Sequence, residues 1–242
     1  MTPRRAARRS LAAPYRLCAG LALSLAFVVP AAPGGPAAPP AASPDPWAPL
    51  ENLAQGRDPV RTYAADFTQE KSTPVLRDPL VSHGQVRVTP GLSRWDTDRP
   101  YPSTMLIAPG ELRLHYPDQN VLEIYPLGQR LDALAASPVP DLAVLREHFT
   151  LASLETRQDP DALTATLLPR SEEVAQALEQ VVVEIDPQRG TLRRLRLTDL
   201  DGETTTLTFQ NVRLNPPLDP DDLALAVPDG TRVLYPLEAD AR

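Results

Sequence analysis

From Thr62 to Val212 the chain repeats one device: a short run in which apolar and polar residues alternate, closed by a Pro, Gly or Asp turn. A two-residue period puts successive side chains on opposite faces, so each run reads as a strand with one buried face. Connections this short join antiparallel neighbours. Tyr63, Ala65 and Phe67 alternate with Thr62, Ala64 and Asp66 in the first run, and residues 84–89, 92–96, 103–108, 112–116 and 121–125 follow. Pro90-Gly91, Pro109-Gly110 and Pro117-Asp118 punctuate them. Further runs cover 150–156, 162–168, 181–185, 192–197 and 205–212, the last three joined by Pro187-Gln188-Arg189-Gly190 and Asp201-Gly202. The count is about eleven strands.

Helical spacing interrupts this pattern. Leu127, Leu131, Leu134 and Ala135 recur at helical intervals, as do Leu142, Leu145 and Phe149, with Pro138 and Pro140 dividing two short helices. Asp45-Pro46 opens a first helix that places Trp47, Leu50 and Leu53 on one face, and residues 172–178 add a helical turn. A sheet of so many strands must curl, and its concave apolar face needs a cover. The expected fold is mainly β: a curved, incompletely closed antiparallel β-barrel under a short helical lid.

The first 44 residues follow other rules. Residues 1–42 carry five arginines and no acid, ahead of an apolar stretch from Leu17 to Val29 and Pro30-Ala31-Ala32. That order describes a cleavable secretory signal over 1–32. Thirteen residues are too few to span a bilayer comfortably. Residues 33–44 continue a Pro/Ala-rich tether, within a stretch from Pro30 to Pro49 that holds eight prolines and seven alanines. The folded domain is expected over 45–242. The lone cysteine, Cys18, falls inside the signal, so no disulfide or thiol chemistry is expected of the mature chain.

Beyond residue 42 the chain has 19 basic against 31 acidic residues, a net charge of −12. Such a balance repels phosphate backbones and excludes nucleic acid as a partner. His83, His115 and His148 are scattered over a strand start, a strand and a helix end, without metal-ligand spacing. No phosphate loop, dinucleotide fingerprint or nucleophile elbow is present. Asp199 and Asp201 flank Gly202 and read as turn residues that bond backbone. Neither catalysis, a metal nor a cofactor is expected.

The order of motifs is itself informative. It runs Asp66-Phe67-Thr68-Gln69-Glu70-Lys71, Pro79-Leu80-Val81-Ser82, Pro90, Arg94-Trp95, Pro100 and a strand ending in Tyr116-Pro117. Leu167-Leu168-Pro169-Arg170, Ile185-Asp186, Gly190, Asp201-Gly202, Thr208-Phe209-Gln210-Asn211 and Val227-Pro228-Asp229-Gly230-Thr231 follow. Over about residues 50–235 this resembles the periplasmic outer-membrane lipoprotein carrier family, LolA. The resemblance implies a non-enzymatic, monomeric carrier in the periplasm of a Gram-negative bacterium. Such a carrier takes lipoprotein acyl chains from an inner-membrane ABC transporter and delivers them to an outer-membrane acceptor. Trp95 matches a cavity-facing aromatic of the family, and Leu92, Met105, Ile107, Leu131, Leu134, Leu142 and Leu145 are the other expected lipid-binding residues. The chain departs from the pattern at Thr89, where the family has a lid-fastening arginine, and at Ser93, where it has a large apolar residue. Those departures keep two alternatives open: a carrier of another outer-membrane lipid or glycolipid, and a non-transporting envelope-sensing module on the same fold.

Overall fold

The computed structural model describes residues 45–55, 57–127, 142–158 and 161–237. Twelve strands form one sheet: β1 (Tyr63–Ser72), β2 (Leu80–Thr89), β3 (Leu92–Arg99), β4 (Ser103–Ala108), β5 (Glu111–Tyr116), β6 (Val121–Pro126), β7 (Phe149–Gln158), β8 (Asp161–Pro169), β9 (Leu178–Asp186), β10 (Thr191–Asp199), β11 (Thr204–Leu214) and β12 (Arg232–Leu234). Their order across the sheet is β12-β6-β5-β4-β3-β2-β1-β11-β10-β9-β8-β7. The edge strands β12 and β7 are not neighbours, so the sheet stays open. Every pairing is antiparallel except β12 with β6.

All eleven expected strands are present, and β12 is an addition to them. Three residues are too few to show a period, and a parallel partner leaves no hairpin signal in the sequence. Three α-helices are described: α1 (Ala48–Ala54), α2 (Leu142–His148) and α3 (Glu172–Ala175). The Asp45 Oδ1 accepts from the Trp47 backbone N–H at 3.0 Å, while the helix itself starts at Ala48. The expected signal and tether, and the helix through Leu131 and Leu134, lie outside the described residues.

Register assigns the two faces. Tyr63, Ala65 and Phe67 of β1 lie opposite Val88, Val86 and Gly84 of β2, and Val86 lies opposite Trp95 of β3. These residues share a face with Leu163, Ala165 and Leu167 of β8, Val181, Val183 and Ile185 of β9, and Leu192 of β10, all in one apolar core. Trp47 and Leu50 of α1 complete that core, while Leu53 and the α2 residues Leu142 and Leu145 pack against it. The helices therefore cover the concave side. Curvature is visible in the aromatic contacts: Trp95 and Phe209 stand on strands three spacings apart, about 14 Å on a flat sheet. Their ring centroids are nevertheless 6.1 Å apart.

A bulge keeps β11 in step with this face. Ala64 pairs with Arg213 and Asp66 with Gln210, so two residues of β11 oppose Ala65 alone. Asn211 takes the extra position at φ 51°. Leu207 and Phe209 before it, and Val212 and Leu214 after it, consequently all reach the core despite opposite parity.

Gly84 is fixed by close approach. A Cβ there would sit 2.0 Å from the Asp96 carbonyl oxygen and 2.8 Å from the Phe67 ring. Backbone on the neighbouring strand cannot yield as a flexible side chain would. Gly84→Ala is expected to cost about 2 kcal/mol or more, read as a lower denaturation midpoint in urea.

Candidate functional site

Trp95 is the centre of the concave face. Its ring packs against Phe67 at 5.4 Å between centroids and against Phe209 at 6.1 Å, in tilted and edge-on arrangements. The indole Nε1–H donates to Ser93 Oγ at 2.9 Å. Residues two apart on a strand share a face, which brings Ser93 under the indole. Ser93 is fully buried, opposite Val88 on one side and Ile107 on the other. Met105 lies directly opposite Trp95 and is half-buried.

The backbone of β3 is held from its other face. Arg87 Nη2 donates to Asp96 Oδ2 at 2.6 Å, Arg94 reaches the same carboxylate at 2.9 Å, and the Thr104 hydroxyl donates to Asp96 Oδ1 at 2.9 Å. Arg94 Nη1 also donates to the Ala224 carbonyl at 2.5 Å, tying down a turn in which Leu223 is fully buried. Burial pushes the Asp96 carboxyl up, but the bonds from Arg94, Arg87 and Thr104 outweigh it and hold the group below its ordinary value.

Across the concave face from Trp95, the register runs through Met105 and Leu114 to Glu123 of β6. Glu123 Oε2 accepts from the Tyr125 hydroxyl at 2.8 Å. Both are half-buried. Burial raises the Tyr125 hydroxyl well above its ordinary value, and the adjacent Glu123 carboxylate raises it further, so the phenol stays a donor.

Of the expected lipid-binding residues, Trp95, Leu142 and Leu145 meet at the apolar core, with Met105 and Ile107 beside Trp95 on the same face. Leu92 is placed differently. The Pro90-Gly91 turn closes on the pair Thr89 and Leu92, so Leu92 shares parity with Arg94 and Asp96 and faces away from Trp95. Leu131 and Leu134 lie outside the described residues. Thr89 lies on that same opposite face and is buried there, and among the described residues its hydroxyl has no hydrogen-bond partner. Sequence reading missed the Ser93–Trp95 and Glu123–Tyr125 bonds; the i, i+2 spacing of each pair was the only available signal.

The helices are joined by charge. Arg146 of α2 bonds Asp45 and Glu51, and its guanidinium lies 5.8 Å from the centre of the Trp47 ring. Of the histidines, exposed His83 meets the Thr68 hydroxyl through Nδ1 at 3.2 Å, buried His148 meets Ser171 at 3.1 Å, and His115 is buried in β5. Asp199 Oδ1 accepts from the backbone N–H groups of Asp201 and Glu203, as expected of a turn. Among the described residues no group of three or more His, Cys, Asp or Glu could hold a metal ion.

The family model described as outer membrane lipoprotein carrier protein LolA matches residues 58–223. The chain belongs to the LolA family. It is 26% identical over 188 residues to an outer-membrane lipoprotein carrier protein of Chromohalobacter salexigens, covering 76% of this chain and 85% of that one. A protein of the same description from Methylococcus capsulatus is 28% identical over 186 residues, covering 76% of this chain and 86% of its own. A solved LolA superfamily protein from Nitrosomonas europaea superposes with a TM-score of 0.41 at 11% identity, covering 74% of this chain and 97% of that chain.

The Asp96 arrangement makes a pH prediction. A carboxyl whose folded pKa lies below the unfolded value of about 3.9 adds stability above that value and loses it as pH falls through the folded pKa. Asp96→Asn should destabilise the protein by about 1–3 kcal/mol at neutral pH. Its stability should then fall less than the wild type's between neutral and strongly acid pH, measured by urea unfolding across that range.

Proposed function

We propose that this LolA-family protein is a periplasmic carrier that holds lipoprotein acyl chains on its concave face and ferries them from the inner to the outer membrane. The observation that supports this reading most directly is the aromatic cluster on the helix-covered side of an open sheet, in which Trp95 is half-buried and packs on buried Phe67 and Phe209. Each methylene moved from water onto such a surface is worth about 0.8 kcal/mol, so one long acyl chain supplies several. No bond is made or broken. Loading from an ABC transporter and unloading to an outer-membrane acceptor then depend on differences in affinity between partners, and the carrier must open to release.

Arg146 gives α2 a suitable fastening. Its bonds to Asp45 and Glu51 join α2 to α1 through half-exposed charges, a weak and reversible link in water. It stands in for the family's lid-fastening arginine, because the corresponding Thr89 faces away from the concave side. A second reading, another lipid or glycolipid as cargo, draws its support from fully buried Ser93, a small polar side chain at a position where the family has a large apolar one.

The deciding measurement is a native mass spectrum of the mature protein purified gently from its own periplasm. Adducts with the masses of triacylated polypeptides are the expected result; adducts of a small lipid would favour the second reading, and a protein that stays empty when offered either would defeat both. Trp95→Ala and Leu142→Glu should each abolish uptake of acylated cargo while leaving the far-ultraviolet circular dichroism spectrum unchanged. Normal transfer by both variants would remove the concave face from the mechanism.

A further inference from the structure

The stretch of the concave face from β3 to β6 has two chemically distinct ends. At Trp95 the only indole donor is already engaged by Ser93 Oγ at 2.9 Å, and that serine is fully buried between strands contributing Val88 and Ile107. The ring therefore offers an incoming molecule hydrocarbon contact without a free hydrogen bond. From there the register row passes Met105 and Leu114, both apolar and half-buried, and reaches Glu123. Trp95 and Glu123 stand three strands apart, about 14 Å along the sheet. At Glu123 the polarity reverses: the carboxylate accepts from Tyr125 at 2.8 Å and retains further lone pairs for other donors.

We propose that β3 to β6 form an oriented amphiphile site, with Ser93 positioning Trp95 to take the hydrocarbon end and the Glu123–Tyr125 pair taking an uncharged, donor-bearing head. The assignment rests on the carrier reading above and specifies the cargo chemistry it would favour. A hydroxyl or amide N–H can donate to the Glu123 carboxylate. A phosphate meets a like charge in a half-buried setting and is disfavoured. An amide-linked acyl chain and a glycolipid satisfy this rule, whereas an anionic phospholipid does not.

The test uses two ligands with the same chain, 1-O-dodecylglycerol and dodecyl phosphate, below their aggregation concentrations. Binding is followed by Trp95 fluorescence in a Trp47→Phe background, which leaves Trp95 as the sole indole. The glycerol ether is expected to bind about tenfold more tightly than the phosphate, a ratio worth about 1.4 kcal/mol. Glu123→Gln should collapse that ratio by strengthening phosphate binding. Tyr125→Phe, which keeps the carboxylate, should preserve it. Ser93→Ala should leave the head-group ratio in place while the Trp95 indole N–H signal shifts and exchanges faster with solvent.

Equal affinities in the parent protein, or a ratio unmoved by Glu123→Gln, would overturn the oriented site. An indole N–H unaffected by Ser93→Ala would remove Ser93 from it. If neither ligand binds while triacylated polypeptides still co-purify with the protein, the oriented site fails and the carrier reading stands. If neither ligand binds and no lipoprotein co-purifies, both fail.

Discussion

An open sheet of twelve strands must keep one apolar face out of water across its whole width, although its two edges never meet to form a closed core. Curling satisfies that requirement only if the alternation of every strand stays in phase with the concave side. Local irregularities maintain the phase. Asn211 absorbs an extra residue so that Phe209 and Val212, of opposite parity, both face inward. The shift between Leu192 and Arg194 does the same for Leu192 and Leu195 in β10, and that between Leu151 and Ser153 for Leu151 and Leu154 in β7. These bulges are part of how the sheet bends, since each adds local twist and re-aims the side chains beyond it.

Coverage of the face is uneven. On β8 and β9, the inward residues Leu163, Ala165, Leu167, Val181, Val183 and Ile185 are buried in a core shared with α1. On β3, β4 and β5, Trp95, Met105, Leu112 and Leu114 are only half-buried. Dense packing anchors the first group, and an interior of that kind leaves little room for a guest. The second group retains apolar surface whose further burial would release free energy. On the carrier reading, the division separates the strands that hold the fold from those that take a guest, and the proposed site lies on the less buried strands.

Much of this was legible in the sequence because the alternation is strong and its turns are explicit. Pro90-Gly91, Pro109-Gly110 and Asp201-Gly202 stand at the bends, and all three glycines have positive φ, from 76° to 84°. Trp47, Leu50 and Leu53 were readable as one helical face for the same reason. What alternation alone cannot supply is absolute register. Leu92 is apolar and sits on the right strand, yet the turn makes it the partner of Thr89 and turns it away from Trp95. The Asn211 bulge is equally silent, because an inserted residue looks like a break in the period. Glu123 reads as an ordinary polar strand residue, and Ser93 only as a departure from the family pattern, until the register places both on the concave face with aromatic partners.

The substitutions at Thr89 and Ser93 acquire different meanings once those faces are known. Thr89 is buried away from the concave side, so it can fasten nothing to α2 by itself. That duty, on the carrier reading, passes to Arg146, whose partners Asp45 and Glu51 belong to the segment that opens the domain. An attachment made by half-exposed charges is weakened by salt and easily exchanged for water, which suits a helix that must move aside and return. Ser93 acts beneath the aromatic cluster instead. By occupying the indole N–H it removes a polar feature from the face and stabilises one orientation of the ring, at the cost of the bulk a large apolar side chain would have supplied. On the carrier reading, a smaller side chain beside a fixed aromatic surface alters the shape of the guest that fits more than the hydrophobic character of the site, and selectivity among long-chain cargoes is where such a change would be felt.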